Sequence, residues 1–294
     1  MDRNKLNKDY EYCQKVIKQH SKSFYYAFKE LPAEDANAVY AVYAFCRFAD
    51  DVVDEAESIE QSISGLNRLK EDLKRFAAGA EINHPMWRAL RDVHTRYSLD
   101  LEMFTWQLAG QEQDINFRQP DTLADLIDYS VKVAGSVGRM LLPILARHPN
   151  EAMKKEAEQL GVAMQITNIL RDVGEDYREH QRIYIPVEVV EKYGCARAIE
   201  EGKANSAFIE MWEYLACYAE DIYDKFYHSI KYYNKEGQLP LLLSAMVYRA
   251  ILDEVRANQY DCLTCRNKVS LANKLMIRNR AVTYLSGLQK GETL

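Results

Sequence analysis

The sequence predicts an all-α protein, and three observations carry that prediction. Its 294 residues include only 12 Gly and 7 Pro, and the prolines leave gaps as long as Pro32 to Pro85 and Pro186 to Pro240. Turn-rich β architectures need denser punctuation than that. Apolar residues recur at helical spacing along most of the chain, with no sustained two-residue alternation. No repeat of solenoid period and no low-complexity linker interrupts the pattern, so one helical domain is expected over residues 1–294.

Taken in order, the period places helices over 4–20, 33–56, 59–78, 84–96 and 99–116. A helix over 121–147 starts at the cap Asp121-Thr122 after Pro120 and is expected to break near Gly135. Asn150 caps the next, over 151–177, and Pro186 opens 186–193 in its first turn. Further helices are expected over 205–234, 238–258 and 269–288.

Composition excludes several function classes. With 48% apolar residues and charges of both signs, the chain is not predominantly disordered. Its 38 basic residues against 44 acidic ones leave a net charge of −6, without the bulk positive field of a general nucleic-acid binder. No segment reaches the roughly 18 uncharged apolar residues of a spanning helix. No apolar segment follows Met1 to Lys5, so a cytoplasmic protein is expected. Among six cysteines only Cys262 and Cys265 have ligand-like spacing, and a lone C-x-x-C is poor evidence for zinc, so reduced structural thiols are expected.

Two helices are unusual in the same way. Ala36 to Val53 is apolar nearly all round, as a buried helix would be, yet it carries Arg47, Asp50, Asp51 and, just beyond, Asp54. Leu160 to Val173 is also apolar, yet it and the next turn carry Gln165, Asn168, Arg171, Asp172 and Asp176. At about 100° per residue, positions 165, 168, 172 and 176 fall within an arc of roughly 80°, and Asp50 and Asp54 share a face. Ordinary exposed charges would not need apolar flanks. Buried carboxylates need a compensating cation, and oxygen-only ligands without histidine point to Mg²⁺. A di-iron bundle would need two Glu-x-x-His repeats, and only Glu81 to His84 has that spacing. Magnesium held by a few carboxylates keeps positions open for substrate phosphates, so a diphosphate is the expected ligand.

Asp50-Asp51-Val52-Val53-Asp54 forms the D-D-x-x-D pattern of prenyl-diphosphate enzymes. Around it stand His20-Ser21-Lys22-Ser23-Phe24, Tyr43-Ala44-Phe45-Cys46-Arg47, Val133 to Gly138, Gln165 to Asp176, and Arg182-Ile183-Tyr184-Ile185-Pro186. Together, and in this order, these segments resemble the squalene/phytoene synthase family from about Tyr10 to about Leu275. The resemblance implies an isoprenoid-synthase-type helical bundle around a central cavity. It also implies Mg²⁺-dependent head-to-head joining of two prenyl diphosphates through a cyclopropylcarbinyl diphosphate.

By resemblance, Asp50, Asp54, Asn168, Asp172 and Asp176 hold two or three Mg²⁺ ions against diphosphate. Lys22, Arg47 and Arg171 would clamp diphosphate oxygens, with His20, Ser21, Ser23 and Gln165 as hydrogen-bond partners and Arg266 as a further contact. Tyr43, Tyr129 and Tyr248 would line the cavity, where aromatic faces stabilise a carbocation without reacting, and Tyr129 is a candidate catalytic residue. Asp114 matches another acidic position of the family, with no role assigned, and Asp51 faces elsewhere at its helical angle.

Within the family the chain most resembles the C30-forming members, which join two farnesyl diphosphates, and then the C40-forming ones, which join two geranylgeranyl diphosphates. Phe28 and Tyr40 are expected to shorten the tunnel and favour farnesyl. No nucleotide fingerprint is visible, so no NADPH requirement is expected; a reductive, squalene-forming enzyme is the alternative. A head-to-tail enzyme would want a second D-D-x-x-D. A non-catalytic helical scaffold would show gaps at the metal or clamp positions, and none is missing. Lipid substrates make peripheral membrane contact an expectation, although no basic amphipathic helix stands out. Oligomeric state is not legible.

Overall fold

The computed structural model describes residues 3–290, which contain helices and no strand. They run in order as α1 (Arg3–His20), α2 (Lys22–Phe28), α3 (Ala33–Asp54), α4 (Ile59–Ala77), α5 (Pro85–Tyr97), α6 (Leu101–Ile115) and α7 (Leu123–Ser130). A π-helical turn, Val131–Gly135, joins α7 to α8 (Ser136–Leu145). Then come α9 (Glu151–His180), α10 (Val187–Tyr193), α11 (Ala196–Glu200), α12 (Ser206–Ser229), a 3₁₀ turn (Ile230–Tyr232), α13 (Lys235–Ala257) and α14 (Leu271–Lys290).

Most ends follow from local chemistry. The Asn150 side chain accepts from Met153 N–H at 2.9 Å, and Thr122 and Asp125 cap each other's backbone reciprocally. Two short helices have no counterpart in the periodicity. The seven residues of α2 make two turns, too few to show a period, and Ser21 starts them by accepting from Phe24 N–H. The five residues of α11 are a single turn. The expected break near Gly135 is instead an unbroken π turn, and the segment expected over 205–234 leaves α-helical geometry after Ser229.

Two helices organise the rest. α3 packs against α1, α4, α5, α6 and α8, while α9 packs against α8, α12, α13 and the π turn. Glycine brings the second set together. A Cβ at Gly161 of α9 would fall on the Ala134 carbonyl, and one at Gly138 of α8 would fall on the Ala157 carbonyl. The backbones therefore touch where any side chain would hold them apart. Farther along α9, Gly174 N–H donates to Cys262 carbonyl at 3.1 Å, and a Cβ at Gly174 would strike Leu263. That contact pins the segment after α13 against α9 and brings Arg266 to the polar stripe.

Candidate active site

A cavity of about 720 Å³ lies between α2, α3, α8, α9 and α13. Along α9 its wall changes character from Ala157, Leu160, Gly161 and Met164 to Gln165, Asn168 and Arg171. At 1.5 Å per residue this span is roughly 20 Å, enough for an oily end and a charged end. Val137, Leu141, Leu145 and Leu241 extend the oily part. His20, Ser21, Lys22, Ser23, Arg47 and Arg266 line the cavity too, joined by Lys268 and Lys274. Burial, then repulsion from Lys22, lowers the Lys274 pKa, as expected where cations gather without an anion to balance them.

The carboxylates are arranged around this charged end. Asp50 lines the cavity and accepts from Gln111 Nε2 at 2.5 Å. Burial pushes its pKa well up, and Asp54, Asp114 and Asp51 add to this while Arg47 opposes it. Asp176 is raised to about 7 by burial and by the neighbouring Asp172 and Glu175. Asp172 is held by two arginines: Arg171 Nε and Nη2 donate at 2.7 and 2.5 Å, and Arg266 Nε lies 3.2 Å away. Asp54 is exposed and pairs with Arg182 at 3.6 Å. Asp51 pairs with Arg47.

These residues fit Mg²⁺ by their chemistry. The donors are all oxygen, Asn168 Oδ1 is buried without a partner, and Asp50 and Asp176 are carboxylates that a cation would relieve. Among the described residues, no three His, Cys, Asp or Glu side chains are grouped closely enough to hold an ion by themselves. Magnesium with one or two carboxylates plus substrate phosphates does not need such a cage.

Two expectations fail. Tyr129 is not in the cavity wall: its ring stacks on Tyr184, and both hydroxyls donate to Asp114, each at 2.9 Å. Arg182 Nη2 donates to the Asp114 carbonyl at 2.9 Å and pairs with Asp54, which links this cluster to the cavity's acidic rim. Tyr40 is buried behind the wall against Tyr25, whereas Phe28 is in it. Tyr43 and Tyr248 do line the cavity.

The wall also holds residues that sequence reasoning passed over. Phe24 sits between Tyr248 and Phe28, with ring centroids 4.9 and 5.8 Å away. It belongs to the same segment as Lys22, so its position was within reach. Lys268 and Lys274 had a weaker signal, a run of chain without acidic residues. Gln107 and Gln111, one turn apart on α6, both reach Asp50.

A helical bundle enclosing an oily tunnel, cationic at one end and flanked there by carboxylates on two helices, defines an enzyme class that takes a lipid with a polyanionic head. The chain belongs to the squalene/phytoene synthase family of prenyltransferases, whose model matches residues 17–273. It is 36% identical to a 4,4'-diapophytoene synthase of Staphylococcus haemolyticus, over 87% of this chain and 90% of that protein. It is 32% identical to a phytoene synthase of Arthrospira platensis, over 91% and 90%. The crystal structure of a dehydrosqualene synthase in complex with ligand superposes with a TM-score of 0.91 at 40% identity, covering 97% of this chain and 99% of that one.

Proposed function

We propose that this protein joins two farnesyl diphosphates head to head, through a cyclopropylcarbinyl diphosphate, to give dehydrosqualene. The observation that carries the reading is the tunnel itself, apolar along α8 and the first half of α9, with Phe28 in its wall, and cationic at the other end. Likeness to a diapophytoene synthase and a dehydrosqualene synthase supports farnesyl as the chain.

Ionising an allylic diphosphate requires stabilising a leaving group with several negative charges. Lys22, Arg47, Arg171, Arg266 and Lys274 supply cations for it, with His20, Ser21, Ser23 and Gln165 as hydrogen-bond partners. Asp50, Asp54, Asn168, Asp172 and Asp176 would hold Mg²⁺, which adds positive charge to the departing diphosphate when bound. Arg171 and Arg266, drawn from Asp172 to the anion, leave that carboxylate available to the metal. The carbocation then meets the faces of Phe24, Tyr43 and Tyr248 in a wall that excludes water. Tyr129 acts from outside the wall, through Asp114. Residues 1–294 work as one domain in the cytoplasm, in loose contact with a membrane and without NADPH.

The deciding experiment incubates the purified protein and Mg²⁺ with farnesyl or geranylgeranyl diphosphate, with and without NADPH, and identifies the hydrocarbon. Dehydrosqualene from farnesyl diphosphate is expected. A C40 hydrocarbon as main product, or squalene formed only with NADPH, would replace this reading.

A further inference from the structure

From Cys262 to Lys290 the chain carries Arg266, Lys268, Lys274, Arg278, Arg280 and Lys290 and no Asp or Glu, although its net charge is −6. Most of that stretch is α14. One side of α14 is anchored: Ile277 and Ala281 are buried, α13 packs against the helix, Tyr284 donates to Tyr227 carbonyl at 3.1 Å, and Arg278 pairs with Glu30 at 2.9 Å. The other side is open and carries large apolar residues among the exposed Asn279, Arg280, Thr283 and Ser286. Leu271 is 67% exposed, Met276 53%, Leu275 52% and Val282 40%. Of the large exposed hydrophobic residues among those described, no other helix carries as many.

This face adjoins the mouth of the cavity. Lys268, Val269 and Lys274 line the cavity, and Leu271 and Leu275 sit within about 100° of Lys274 around the helix. One edge of α14 thus lines the charged end of the tunnel while the next edge offers leucines to the outside, with Arg280 exposed farther along. Among the described residues no helix is long and apolar enough to cross a membrane, so such a face would lie on a bilayer.

We propose that the exposed face of α14 docks the protein on an anionic lipid surface, holding the cavity mouth at the bilayer. The inference deepens the function proposed above and rests on it for its purpose. A prenyl diphosphate is an amphiphile with an anionic head, and the hydrocarbon left after both diphosphates depart has no polar handle and partitions into lipid. Leucines enter the acyl boundary while the exposed Lys268 and Arg280 meet anionic headgroups. A second copy of the chain fits the face less well, because a two-fold contact would set the exposed Arg280 against its own image.

The test is flotation of the full chain, without substrate, on phosphatidylcholine vesicles with and without phosphatidylglycerol. Anionic vesicles are expected to carry at least about tenfold more protein, and salt raised to about 0.5 M to release most of it. Leu271→Gln/Leu275→Gln, and separately Arg280→Glu, should each cut binding about fivefold or more. Both should keep turnover in detergent micelles and an unchanged circular dichroism spectrum. Equal binding of wild type to the two vesicle types overturns the proposal, as does unaltered binding by both variants. So does sedimentation showing a wild-type dimer that the leucine variant converts to monomer, since a second copy would then cover the face. Because no substrate is present, failure here leaves the hydrocarbon assay untouched, and failure there leaves this result standing.

Discussion

Arg266 and Asp172 are 94 residues apart in the chain, yet the guanidinium Nε lies 3.2 Å from one carboxylate oxygen and Nη2 3.3 Å from the other. Arg171 occupies the same carboxylate from the neighbouring position. The middle residue of the second acidic stripe is thus neutralised by two of the cations assigned to diphosphate.

Arg266→Gln removes one of those cations at a partly exposed site. A lost charge-assisted hydrogen bond is worth about 1.5–3 kcal/mol, so KM for the prenyl diphosphate should rise roughly tenfold or more. The turnover number should change less. Steady-state kinetics at saturating Mg²⁺ separate the two, and an unchanged KM would remove Arg266 from the clamp.

Asp50→Ala and Asp172→Ala address the two stripes one at a time. Each should slow Mg²⁺-dependent diphosphate release by about 10² or more, the usual consequence of losing a group that stabilises developing charge. Unaltered release in both would favour a protein that kept the fold without the chemistry.

Phe28 and Tyr40 no longer carry equal weight. Phe28→Ala enlarges the wall itself and should raise the geranylgeranyl-to-farnesyl product ratio, whereas Tyr40→Ala acts only through what rests on Tyr25 and should do so less. Competition between the two diphosphates measures this, and a larger effect from Tyr40→Ala would place the length limit elsewhere.

Asp114 gives a pH signature. Burial raises its pKa to about 6, against the opposing Arg182 and the two phenol hydrogen bonds. Between the ordinary carboxylate value and about 6 the folded state binds more protons than the unfolded one, so its contribution to stability falls as pH rises through this window. The loss is at most about 3 kcal/mol. Urea midpoints of the metal-free protein should decline over that range, and Asp114→Asn should lessen the decline, leaving the share that the raised Asp50 and Asp176 contribute.

Gly161→Ala tests the helix contact that shapes the oily end. Its Cβ would fall on the Ala134 carbonyl, which belongs to backbone and does not swing aside. A cost of about 1–3 kcal/mol is expected, seen as a lowered thermal midpoint, and an unchanged midpoint would mean that the π turn yields freely.

The sequence alone determined the features that depend on helical period. The stripes of α3 and α9 were legible because residues three and four apart share a face whatever surrounds them, and the segments resembling the family stood in order along the chain. Caps such as Asn150 were legible for the same local reason. The position of α14 was legible too, within the helix expected over 269–288, but its surface character was not, because apolar residues stand both on the side packed against α13 and on the open side, which flattens the contrast a basic amphipathic helix would show. Only the tertiary structure decided that Tyr248 and Phe28 reach the cavity while Tyr129 turns to Asp114 and Tyr40 to Tyr25. It also decided that Arg266 comes to rest on Asp172. Period assigns a side chain to a face of its own helix; which neighbour meets that face depends on how closely distant backbones approach, and here Gly138, Gly161 and Gly174 set that approach.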